Sequence, residues 1–204
     1  MRYGGYTGNS KYWWFILVWT INGRVAKHTF QSIMNRVDRR LAGWRSRLLS
    51  SAGRLMLVQT TISTIPSFTI QIAKLPRSIC NEIDRKSRRF LWGGTENHRA
   101  IHNVSWDMIT RNKEEGGLGL HWMRHVNSAF LAKLCWRLLT EKNILCTQVL
   151  QAKYCRGCCD MNTISLVKDA SNAWHGIVDN IKIIKQGAQF KVGNGRSTTF
   201  WMHN

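Results

Sequence analysis

Clustered arginines, and not paired acids, are the residues whose types and spacing suit a chemical task in this sequence. Arg36, Arg39, Arg40, Arg45 and Arg47 fall within twelve positions that contain a single acid, Asp38. Arg85, Lys86, Arg88 and Arg89 form a second group, followed at once by Phe90, Leu91 and Trp92. Guanidinium forks match the oxygens of phosphate groups, and aromatic faces beside them can stack on unpaired bases. Together these residues suit backbone contacts to a polyanion. A solvated basic helix face is the plainer alternative.

Other chemistries find little support. Metal-assisted nucleotidyl transfer or phosphodiester hydrolysis needs converging carboxylates, whereas the 11 acids are scattered, with no Asp-Asp pair and no Asp-x-Asp. The lysine-bearing phosphate loop and the G-x-G-x-x-G dinucleotide fingerprint are absent. Cys155-x-x-Cys158 has the spacing of half a zinc site, but no second pair accompanies it, so Cys155, Cys158 and Cys159 are expected to be free thiols. His98 and His102, and His121 and His125, sit four residues apart without the glutamate of a zinc protease. No serine lies in a G-x-S-x-G elbow. No cofactor, bound metal or small-molecule substrate is expected.

Apolar periodicity predicts the elements that carry these residues. Phe30, Ile33, Met34, Val37, Leu41, Trp44 and Leu48 mark one face of a helix from about Thr29, its expected cap, to Ser50. A second apolar helix containing Leu55, Val58 and Ile62 should stop or kink at Pro66, and residues 67–75 read equally as strand or helix. Pro76 opens a third helix, which Gly93 and Gly94 end. The run from Lys113 to Gly119, with three glycines in four positions, reads as a tight turn. Helices are expected over His121–Glu141, Thr147–Tyr154 and Ala173–Lys185. Asn194-Gly195, between two strand-like runs, predicts a terminal β-hairpin. The tryptophans at positions 44, 92, 106, 136, 174 and 201 lie in or beside apolar stripes and read as core, with Trp92 the best stacking candidate.

With 204 residues, 30 lysines and arginines and 7 histidines, the chain is long enough for a core and carries a formal charge of +19. The excess is uneven: residues 1–92 carry +13 and the rest +6. Such a balance favours polyanions, nucleic acid above all. Residues 12–21 are an apolar run of ten, half of a spanning helix, without a small-residue cleavage site. A buried segment is therefore expected, together with an intracellular setting, nuclear or cytoplasmic, and neither secretion nor a membrane anchor.

Seven blocks also resemble, in order, the region that follows the polymerase palm in plant LINE-type (non-LTR) retrotransposon reverse transcriptases. They are Leu41-Ala-Gly43-Trp44-Arg-Ser-Arg47 continuing to Arg54, Ile65-Pro66, Leu75-Pro76, Arg89-Phe90-Leu91-Trp92-Gly93-Gly94, Trp106-Asp107 with Lys113–Gly119, Leu150-Gln-Ala-Lys153-Tyr154, and Val192-Gly193-Asn194-Gly195 with Phe200-Trp201. Residues 1–22 depart from that pattern. The resemblance implies a helical thumb and connection, with the catalytic palm upstream and a Cys/His zinc-binding module and often RNase H downstream. None of the family's catalytic residues falls on a matching position.

The expected fold is thus mainly α: a helical thumb-like bundle and helical connection with a short C-terminal β-hairpin. The expected division is a divergent apolar segment (1–22), a basic thumb-like region (23–94), a helical connection (95–186) and a truncated hairpin (187–204). The expected role is sequence-independent binding of RNA, DNA or a hybrid by Arg36, Arg39, Arg40, Arg45, Arg47, Arg85, Arg88 and Arg89, without catalysis. The competing reading is a degenerate retroelement remnant with no selected function.

Overall fold

Ile33, Met34, Val37 and Leu41 are buried along one face of α1 (Gln31–Arg45), with Phe30 buried just before it, as their spacing predicts. The computed structural model describes residues 30–45, 49–71, 73–94, 101–141, 143–155, 159, 161 and 163–188. The apolar run at 12–21, the cap expected at Thr29 and the expected terminal hairpin lie outside them. The described residues form helices and turns, without a strand.

Helix α1 stops short of Ser50, which has a different task. Its backbone is extended (φ −65°, ψ 162°), and its hydroxyl accepts a hydrogen bond from Gly53 N–H to cap α2 (Ser51–Leu57). The expected second helix then widens into a π-helical turn (Val58–Ile62) that buries Val58 and Ile62. Hydroxyl groups feed this region: Thr60 Oγ1 donates to Met56 O (2.7 Å) and Ser63 Oγ to Val58 O (3.0 Å). Such back-bonding competes with the regular helical ladder and bends it. Beyond buried Pro66, the segment that reads as strand or helix contains a single helical turn, α3 (Ser67–Ile70).

Pro76 precedes α4 (Arg77–Leu91), and Gly93 follows its end in the left-handed region at φ +75°. Gly93 also makes room for Arg54: a Cβ there would lie 2.2 Å from Arg54 Nη1. The glycine-rich block forms the expected tight turn. Ser105 caps the short α5 (Trp106–Ile109), a 3₁₀ turn covers Lys113–Glu115, and Gly116 adopts φ +80°. A side chain at Gly117 would collide with the Arg111 carbonyl at 2.0 Å, so the chain there has no room for a Cβ.

Three further helices, α6 (Met123–Thr140), α7 (Leu145–Tyr154) and α8 (Asn172–Gly187), follow the expected positions to within two or three residues. Helix α6 packs against α3, α4, α7 and α8. On one side it closes a cluster containing residues of α1, the π turn, α4 and α5. On the other, Leu134, Cys135 and Leu138 join Leu150, Trp174 and Ile177 in a second cluster. Trp174 is held by more than area: it stacks on Tyr154 at 4.4 Å, and its Nε1 donates to Ser165 O at 2.9 Å. Gly176 lets α8 approach α6, since a Cβ there would sit 2.8 Å from Leu131.

The link between α3 and α4 is clamped from two helices. Buried Asn127 of α6 accepts from Leu75 N–H (2.9 Å) and donates to Ala73 O (2.9 Å) and Ile70 O (3.3 Å). Asn172 of α8 pairs with the backbone of Lys74 in both directions, at 2.6 and 3.0 Å. These amides satisfy backbone groups that no helix ladder reaches.

Candidate functional site

Arg36, Arg39 and Arg40 are exposed on α1, and none forms an ion pair among the described residues. Asp38, the acid that lies between them in sequence, is already used: it pairs with Lys86 and ties α1 to α4. At about 100° per residue, Asp38 lies on the far side of the helix axis from Arg36 and Arg40. Those two therefore project from the flank away from α4, while Arg39 faces outward between the flanks. Arg45 ends α1, but its side chain lies outside the described residues, as does Arg47.

The arginines of α4 divide. Arg85 is exposed and bonds Glu82 at 2.7 Å, and Arg89 is half-buried. Arg88 belongs to another environment. Its guanidinium lies over the Trp106 ring at 5.3 Å, and its Nε is buried without a hydrogen-bond partner among the described residues. The six arginines whose side chains are described do not form one plane. Arg36, Arg39 and Arg40 give a basic stripe on α1, Arg85 and Arg89 lie on α4, and Arg88 turns toward α5.

Around Arg88 the structure gathers groups that the sequence leaves apart. Asp84, one turn earlier on α4 and 4% exposed, accepts the Met123 N–H at the start of α6 (3.1 Å). It thus caps α6 from another helix, where the dipole favours an anion. Arg124 stacks over Trp122 at 4.8 Å, and Trp122 meets Trp106 edge-on. Asp84 Oδ2, Trp92 Nε1 and Trp106 Nε1 are buried without partners among the described residues. The stacking candidate, Trp92, leans on the first core cluster and stacks on His102 at 6.4 Å, so part of its surface is already occupied.

Burial pushes the Asp84 carboxyl from the ordinary 3.8 up to about 6, with the Met123 N–H, Arg88 and Arg124 opposing the rise. In the window between these values the folded chain holds a proton that the unfolded chain has lost. Stability therefore falls as pH rises from about 4 to about 6, by about 3 kcal/mol from this group. Asp84→Asn keeps an acceptor for Met123 while removing the charge. Denaturant unfolding across that window should show a flatter profile for the variant and a gain in stability at neutral pH. An unchanged slope would contradict the assignment.

The cysteines offer no activated nucleophile among the described residues. Burial raises the Cys80 and Cys135 thiols to about 11. Cys155 and Cys159 are joined in a disulfide, which corrects the expectation of free thiols there. Cys158 lies outside the described residues. The short four-residue separation gave no framework-like spacing to reveal the link. Among the described residues, no three His, Cys, Asp or Glu side chains come together as metal ligands. None of the described helices is long and apolar enough to cross a membrane.

Sequence reasoning missed the Asp84 cap and the asparagine clamps. It also missed a groove on α6 where His121, His125, Val126, Ala129, Phe130 and Lys133 line a cavity of about 470 Å³. Its one signal was the breadth of the α6 stripe: Val126, Ala129 and Phe130 lie beside Leu131, Leu134 and Leu138, more than one face requires.

The fold and this surface define a basic helical protein with an arginine stripe and a partly buried Arg–Trp cluster. No family model matches the chain. It is 38% identical over 180 residues to the Arabidopsis thaliana protein named "Putative ribonuclease H protein At1g65750", covering 87% of this chain and 29% of that protein. It is 27% identical over 139 residues to the "Uncharacterized mitochondrial protein AtMg00310" of the same species, covering 68% of this chain and 90% of that protein. The chain thus spans less than a third of the first relative and most of the second.

Proposed function

We propose that this chain is a thumb-and-connection segment of a plant LINE-type reverse transcriptase, and that it holds nucleic acid by its backbone without catalysis of its own. The observation that carries the reading is the stripe of Arg36, Arg39 and Arg40, exposed beside an acid already paired with Lys86. The likeness to a much longer protein named for ribonuclease H supports a retroelement origin. Phosphate contacts of this kind release counterions and carry no sequence information. Arg85 and Arg89 extend the surface onto α4, whereas Arg88 acts within the fold, against Trp106.

The test is equilibrium binding of the full chain to unrelated duplexes of about 20 base pairs over a range of salt. Four or five phosphate contacts predict a log–log slope of about −4, with affinities for different sequences within about twofold. A sequence preference above tenfold, or binding indifferent to salt, would overturn the reading. Metal-dependent primer extension or nuclease activity that persists in independent preparations would overturn the non-catalytic part.

A further inference from the structure

We propose that the outer groove of α6 is a second nucleic-acid site, which takes unpaired single strand while the α1 stripe takes duplex. Two cavities adjoin there, of about 470 and 290 Å³, and both are lined by Phe130 and Lys133. The first opens between His121 and His125; the second runs past Leu134 and Arg137 to Ile144 and Thr147. The floor is apolar and aromatic, with Phe130 only partly buried. Among the described residues, the charged side chains lining the cavities are Lys133 and Arg137, and no Asp or Glu joins them. Lys133 is exposed and forms no ion pair among the described residues, and Arg137 is half-buried and bonds Glu141 at 3.2 Å.

The occupant follows from this combination. An apolar peptide would gain nothing from the cations, and a rigid duplex hides its base faces from Phe130. A single strand offers both parts, an exposed base for the ring and a phosphate for Lys133 and Arg137. Spacing supports the assignment: Phe130, Lys133 and Arg137 are three and four residues apart, so they share one face of α6. The inference rests on the nucleic-acid reading above, but it concerns a different helix and strand state.

The test compares a labelled 12-nucleotide single strand with a duplex of about 20 base pairs on the full chain. Phe130→Leu keeps an apolar side chain against the core while removing the stacking face. Lys133→Gln with Arg137→Gln changes one exposed and one half-buried position, and neither side chain belongs to a buried core cluster. Each variant is expected to weaken single-strand binding about tenfold and duplex binding less than twofold. A thermal melt matching the parent's confirms that folding is intact. Unchanged single-strand affinity in the double-glutamine variant overturns the groove, as does an equal loss for both ligands, which would leave only bulk charge. Neither result touches the duplex reading, which fails separately if the parent chain does not bind duplex.

Discussion

Asn127→Ala is expected to lower the unfolding free energy by about 3–5 kcal/mol, the largest stability effect among the polar positions. The side chain is 4% exposed and serves three backbone groups of the link between α3 and α4. Removing it strands the buried Leu75 N–H and two carbonyls. A buried donor or acceptor left unmade costs about 1–3 kcal/mol, and the void adds to that. Asn172→Ala removes a similar clamp from a half-buried position, so about 1–2 kcal/mol is expected there. Denaturant unfolding of both variants checks the pair. A loss below about 1 kcal/mol at Asn127 would mean that the link does not depend on its amide.

The largest effect on binding is expected from reversing Arg36, Arg39 and Arg40 to Glu together. On the proposed reading each reversal removes a phosphate contact and adds a repulsive charge, so duplex affinity at moderate salt should fall about a hundredfold or more. Helicity should hold, because glutamate and arginine have similar helix propensities and all three positions are exposed. Reversal of Lys168, Lys182 and Lys185, all exposed in the second half, changes the net charge equally and should weaken binding less than tenfold. Circular dichroism of both triple variants separates lost contacts from lost structure.

What the sequence made legible was local. The stripe at Phe30, Ile33, Met34, Val37 and Leu41, the proline before α4 and the glycine after it each act within a turn or two of chain. The structure follows all of them. Ser50 misled because its cap depends on backbone angles that a run of helix-compatible residues does not reveal. The π turn was hidden in Thr60 and Ser63, which count as merely polar until their hydroxyls are seen to bond backward. Less legible still were contacts between distant segments. Asn127 meets partners more than fifty residues away, and Asp84 becomes a buried cap only once α6 begins beside it. In the candidate surface, exposure of the α1 arginines could be read from periodicity. That Arg88 turns toward Trp106 could not, because α5 supplies the ring from outside the helix.

The most direct measurement of the central claim is the salt dependence of duplex binding for three proteins side by side. They are the parent chain, the Arg36, Arg39 and Arg40 reversal, and the Lys168, Lys182 and Lys185 reversal. If the α1 stripe holds the phosphate backbone, the arginine variant's log–log slope should be shallower by about 2–3, while the lysine control keeps the parent's slope. Equal flattening in both variants would contradict the account, reducing the binding to the general attraction of a protein with net charge +19.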